Sequence, residues 1–139
     1  MDALRVEHYI GRATDFLDGM RSIQLKDGLL SSSALLAIHS AISYSDALRS
    51  GLGDDELSSD DHRRAMAKLE RLIPKQVIDR SGLSQLQGLL SDKSQVAYGR
   101  RKMTPRDLKA LATRAERFAR WANEVGRQLK IEGWRDGEQ

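Results

Sequence analysis

The residues of this chain whose types can do chemistry are three histidines, an acidic cluster in mid-chain, a basic run ahead of the last helical stretch, and Trp121 amid arginines. His8, His39 and His62 fall on three different predicted helices with no metal-ligand spacing among them. The chain has no cysteine, which removes thiolate ligands, disulfides and cysteine nucleophiles together. We therefore expect no metal site and no cofactor. His39, midway along the most apolar helix, reads as a hydrogen-bonded core or interface histidine. The acids Asp54, Asp55, Glu56, Asp60 and Asp61 lack the ligand order and glycine of a calcium loop, and read as a solvated loop that also caps a helix. Gly51 and Gly53 lead into those acids, which would repel a phosphate, so no phosphate-binding glycine loop is present. Serines are plentiful, but nothing in the spacing sets one beside a base. What remains is cationic. Arg100-Arg101-Lys102, with Arg106 just beyond, precede the last helix, where they are either phosphate-reaching cations or an ordinary solvated face. Trp121 lies off the centre of an apolar stripe, and either covers a neighbouring helix or is buried in a partner.

Five helices have to position these groups. From Asp2 to about Gln24, Val6, Tyr9, Ile10, Ala13, Phe16, Leu17, Met20 and Ile23 recur at spacings of three and four, with Lys26-Asp27-Gly28 as a stop. Ser31-Ser32-Ser33 offer N-caps for a second helix through Arg49, with Gly51 as its left-handed terminator. That helix is apolar nearly all round and should be the central one. Ser59-Asp60-Asp61 caps a third, carrying Ala65, Met66, Leu69, Leu72 and Ile73 inward, and Pro74 stops it. A fourth runs from about Leu83 to Tyr98, burying Leu83, Leu86, Leu89, Leu90 and Ala97, with Gly99 as its C-cap. The last has the clearest start: Thr104 as N-cap, Pro105 first, Asp107 three residues after the cap. Leu108 to Leu129 supply its apolar stripe, and Arg106, Lys109, Arg117, Arg120 and Arg127 gather opposite.

A length of 139 residues leaves room for one core. With 40% hydrophobic residues, 31% charged and 2 prolines, the chain reads as an all-α antiparallel bundle of four to five helices over residues 1–131, followed by a polar C-terminal tail over 132–139. The formal net charge of +3 is modest, but its positive part concentrates in the last third. Met1-Asp2-Ala3-Leu4-Arg5 has no signal-peptide pattern, and the most apolar stretch, Leu29 to Leu48, is broken by His39, Asp46 and serines. A cytoplasmic protein with no membrane contact is the expectation.

The second helix, from Leu35 to Leu48, resembles the central helix of HEPN domains, in which a small-and-aromatic pattern leads into an alanine-leucine pair and a glycine-containing loop. Leu89 to Gly99 is similar to that family's signature segment, and Ala115-Glu116-Arg117-Phe118-Ala119 to its final helix. The resemblance covers roughly residues 5 to 127 and rests on loose, mostly apolar motifs. It implies a helical bundle that pairs as a homodimer. Many family members are metal-independent ribonucleases, often toxins of toxin-antitoxin pairs; others are non-catalytic partners of nucleotidyltransferases or RNA-binding modules. The ribonucleases carry an arginine, a polar residue after it and a histidine four to six residues further on. The matching positions here hold Lys93, Ser94 and Tyr98. Lysine offers a phosphate charge without a bidentate fork, and a tyrosine is a poor base at neutral pH. No other arginine and histidine stand at that spacing.

The resulting expectation is a HEPN-like dimerising module, non-catalytic, that engages RNA, a nucleotide or a partner protein, with Arg100, Arg101, Lys102 and Arg106 as phosphate contacts and Trp121 as a partner contact. The alternatives are a divergent metal-independent endoribonuclease that uses Lys93, Ser94 and Tyr98, and a structural partner of a nucleotidyltransferase.

Overall fold

The computed structural model describes residues 3–23, 29–54, 61–98 and 102–135, and over 94–98 the backbone alone. Within them the chain is all-α, with helices α1 (Ala3–Ile23), α2 (Leu30–Gly51), α3 (His62–Leu72), α4 (Ser81–Tyr98) and α5 (Pro105–Gln128). None is long and apolar enough to cross a membrane.

Cross-helix contacts give the directions. Ser33 Oγ donates to the Met20 carbonyl at 3.4 Å and Ser40 Oγ to that of Ala13 at 2.8 Å, so numbers rise along α2 as they fall along α1. Trp121 packs on Gly82 and Arg114 on Gly88, which makes α4 and α5 antiparallel in the same way. Arg21 meets Glu116 at 2.6 Å while Gly133 lies against Ala3, which runs α1 against α5. α2 touches all four other helices. It can do so because Ala34, Ala37, Ser40, Ala41, Ser43 and Ala47 are small enough to admit neighbours on several sides, while Ile38, Tyr44 and Leu48 fill the space between.

The last helix starts as its sequence requires, with Thr104 and Asp107 exchanging reciprocal capping bonds at 3.1 Å and Pro105 in the first turn. Asp61 caps α3 by accepting from the Arg64 N–H at 2.8 Å. Pro74 follows the α3 C-cap, Ile73. Leu83, Leu86 and Leu89 are buried on α4, Leu90 is half-buried, and Ala97 has no described side chain. The stop at Lys26-Asp27-Gly28 and the cap at Gly99 lie outside the described residues.

Three expectations at helix ends are overturned. Ser31-Ser32-Ser33 do not cap α2: the helix begins at Leu30 with no side-chain cap, and Ser33 sits inside it. A buried helical serine here gains more from an α1 carbonyl than from a helix terminus. Gly51 does not terminate α2 in the left-handed region; it is still helical, and the positive φ of 99° falls on Gly53. Gly51 instead leaves space for Ile131, which sits where a Cβ would go. Finally, the stretch after residue 131 is not simply a polar tail. Trp134 covers Gly126 and donates its indole N–H to Asn123 at 3.1 Å, folding the chain back onto α5.

The end of α2 carries a buried charge network. Arg49, 1% exposed, donates Nε and Nη2 to one oxygen of Asp54 at 2.9 and 2.7 Å, and the Asp54 N–H donates back to the Arg49 carbonyl at 2.9 Å. Lys68 of α3 approaches Asp54 at 3.9 Å, and Asp46 lies 3.7 Å from Arg49. Burial dominates at Asp46 over the pull of Arg49 and raises its pKa from 3.8 to about 6. A carboxyl raised on folding binds its proton more tightly in the native state. Its contribution is complete below about pH 4 and is lost as pH climbs through about 6. Asp46→Asn holds the neutral form at every pH. In urea unfolding it should match the parent near pH 4 and exceed it at neutral pH by at most about 3 kcal/mol; an equal difference at both values would refute the burial account.

Candidate functional site: a histidine and lysine cluster beside the α3/α4 groove

His39, His62 and Lys93 come from α2, α3 and α4, and the bundle gathers them at one place. On α2, Ala37, Ile38, Ser40 and Ala41 are buried and His39 is half-buried, so its ring sits at the rim of the packed face. There it meets Phe16 of α1 at 5.7 Å between ring centroids, and the Arg12 guanidinium lies 5.7 Å from the centre of that same phenyl ring. His62 is the first residue of α3, held in place by the Asp61 cap. Lys93 stands one turn beyond Leu90 on α4, and its Nζ reaches His62 Nε2 at 2.6 Å.

That contact sets the protonation state. A charged ammonium has three donors and no lone pair, so the imidazole must accept, which leaves His62 neutral with its proton on Nδ1. The electrostatics agree. Burial first and Lys93 second lower the His62 pKa; Asp61 opposes them and His39 adds to them. Burial, then Lys93, then Arg12 lower that of His39. Among the described residues, Asp61 is the one anion whose charge acts on either ring. Two neutral imidazoles, an ammonium and a guanidinium thus share one neighbourhood, in which Asp61 acts on the His62 ring and Asp46 lies within reach of the Arg12 charge.

Beside the cluster a groove of about 380 Å³ runs between α3 and α4, lined by His62, Arg63, Met66, Gln87, Leu90 and Ser91. Past Arg63 and Met66 it continues along Glu70, Arg80 and Ser84. Arg80 donates to the Glu70 carbonyl at 2.9 Å, satisfying the C-terminal end of α3. A second groove, of about 610 Å³, lies between Leu30 and α5, with Lys109, Arg117 and Arg120 along it. It contains no imidazole.

The residues named from the sequence fare unequally. Lys93 is in the cluster. Ser94 and Tyr98 continue α4, but their side chains lie outside the described residues, as do Arg100 and Arg101 altogether. Lys102 and Arg106 are exposed. Trp121 is only 4% exposed; its indole covers Gly82 and donates to the Asp79 carbonyl at 2.8 Å, so it joins α4 to α5 within the chain rather than offering a contact to a partner. His8 stays at the surface against Tyr9. His8, His39 and His62 fall on α1, α2 and α3 as expected, but spacing does not show that His62 meets Lys93: the two are 31 residues apart, and only the α3/α4 pairing joins them. Sequence reasoning misses Arg12 for the same reason. Among the described residues no three histidines, acids or cysteines meet as metal ligands.

What fold and site define is a class: an all-α bundle with a cationic, titratable cluster at the mouth of an interhelical groove. Comparison of the chain with protein-family models, with curated proteins and with solved structures finds no match.

Removing the ammonium should release part of the depression on both rings. In Lys93→Met the imidazole resonances of His62, and those of His39 by less, should titrate at higher pH in NMR; unchanged values would mean that the lysine does not meet the ring in solution. A histidine lowered on folding contributes stability above its ordinary pKa of 6.5 and loses it on acidification. The variant should therefore lose less stability than the parent below about pH 6.

Proposed function

We propose that this protein is a HEPN-like, homodimeric binding module that engages RNA through phosphate contacts without cleaving it. The observation that carries the reading is the convergence of Lys93, His62, His39 and Arg12 beside a groove that Arg63 and Arg80 also flank. Such an arrangement attracts the repeated negative charge of a nucleic acid backbone. The groove has Met66 and Leu90 on its walls, which gives a base an apolar surface. Exposed Lys102 and Arg106 at the start of α5 extend the cationic surface. The HEPN resemblance supports the same reading and supplies the expectation of a dimer. A mononucleotide or a partner protein is the alternative occupant.

One observation favours a second reading, the divergent metal-independent ribonuclease. The motif position at Tyr98 lacks an imidazole, yet His62 brings a neutral one to Lys93. In that reading Lys93 turns from the ring to the phosphate, and the freed His62 Nε2 takes the 2′-hydroxyl proton as the 2′-oxygen bonds to phosphorus and the 5′-oxygen leaves, taking a proton from water.

Fluorescence anisotropy with a labelled single-stranded RNA tests the binding. The affinity should fall as salt rises, and replacing Lys93 and Arg63 by alanine should weaken it and reduce the slope of log affinity on log salt by about 0.7 for each phosphate that the protein no longer neutralises. Binding indifferent to salt would end the proposal. Incubation of the same RNA in chelator should leave it intact; cleavage that disappears in His62→Gln would install the ribonuclease in its place.

A further inference from the structure

A phosphodiester within a strand offers two free oxygens and one negative charge, whereas a terminal phosphomonoester offers three oxygens and a charge of about −1.5 to −2 at neutral pH. The cluster fits the second better than the first. Its polar groups arrive from four separate helices rather than from successive turns of one: Arg12 from α1 and His39 from α2 share the Phe16 ring, and His62 from α3 and Lys93 from α4 are in direct contact. An extended backbone is tracked by cations in a row; an end is grasped by cations in a ring. Among the described residues His39 touches the Phe16 ring and makes no hydrogen bond, which leaves its ring nitrogens open to a ligand. The Lys93 ammonium spends one of its three N–H groups on His62 and has two left.

We propose that Arg12, His39, His62 and Lys93 form a receptor for a terminal phosphomonoester, which enters beside the 2.6 Å lysine–histidine contact and is bound together with protons. This rests on the RNA-binding reading in taking the end of an RNA as the source; a free mononucleotide carries the same chemistry. In the empty site His62 is an acceptor for Lys93; with the dianion in place that contact opens, Lys93 turns its N–H groups to the phosphate, and both imidazoles become donors to it. Each then holds its proton more tightly than before. Lys93 and Arg12 oppose protonation of His39 in the free protein, and Lys93 and His39 oppose that of His62 while Asp61 assists it. A bound dianion offsets the opposing charges. Binding therefore takes up protons, and affinity rises as pH falls until the monoester itself gains a proton near its second pKa of about 6.

The experiment compares one RNA oligonucleotide carrying either a 5′-phosphate or a 5′-hydroxyl, alongside AMP and adenosine, by calorimetry on the full chain in buffers of differing ionisation enthalpy. The phosphorylated RNA should bind more tightly than its hydroxyl twin, with about a tenfold gain from pH 7.5 to 6.5 for each proton taken up. His62→Gln, a neutral side chain that can still accept from Lys93, should flatten that pH dependence, and so should His39→Gln; His8→Gln at the surface should leave it intact. If both RNAs bind equally at both pH values, the receptor is refuted and RNA binding stands. If AMP binds with proton uptake while neither RNA binds, the receptor stands with free nucleotide as its source and the RNA reading falls. Tighter binding of the phosphorylated RNA without proton uptake would overturn the linked-proton account.

Discussion

The burial of α2 is the constraint on which the other helices depend. A helix in contact with four neighbours cannot keep a polar face, yet α2 is rich in serine. Ser33 and Ser40 resolve the conflict by donating to carbonyls of α1, Met20 in its last turn and Ala13 in its middle. Each hydroxyl left buried without a partner would cost about 1–3 kcal/mol, so these bonds hold the register of α1 on α2 more firmly than apolar contact would. Small side chains on the same faces then let α4 and α5 approach. Phe118, Leu111 and Val125 of α5 are buried in that space, each worth about 1.5–3 kcal/mol of apolar burial.

Polar groups at the edges of that packing take their character from it. Arg49 is held inside at the α2 end because Asp54 turns back over it through the Gly53 turn, and removing either partner would take from a buried charge its shortest ion pair. His39 and His62 sit at the rim, dry enough for burial to be the largest influence on both rings and open enough for Lys93 to act on both. Packing therefore favours the neutral form of the two imidazoles, and the cations it brings near ready the cluster to accept an anion.

The ends of the chain show how local signals and tertiary demands compete. Thr104-Pro105 and Asp107 begin α5 through a capping box confined to neighbouring residues, and Asp61 caps α3 likewise. Those signals are legible because nothing distant bears on them. Ser33 and Gly51 carry equally good local signals and do something else. A Met20 carbonyl and an Ile131 side chain, far along the chain, take them over. Trp134 reads as part of a polar tail until Gly126 offers it a flat place on α5.

By itself the sequence determined five helices, the centrality of α2, the buried stripes of α4 and α5 and the start of the last helix, since each follows from periodicity or from bonds between residues a few positions apart. It also marked Lys93, though only beside Ser94 and Tyr98. Only the tertiary structure decided that Lys93 meets His62, that His39 and Arg12 share their neighbourhood, and that Trp121 is an internal brace. The reason is geometric. Helical periodicity says which side of each helix is dry but not which residues on two different dry rims come opposite each other. That depends on how far one helix slides along the next; here the serine bonds fix α2 on α1, and the close packing at Gly82 and Gly88 fixes α4 on α5.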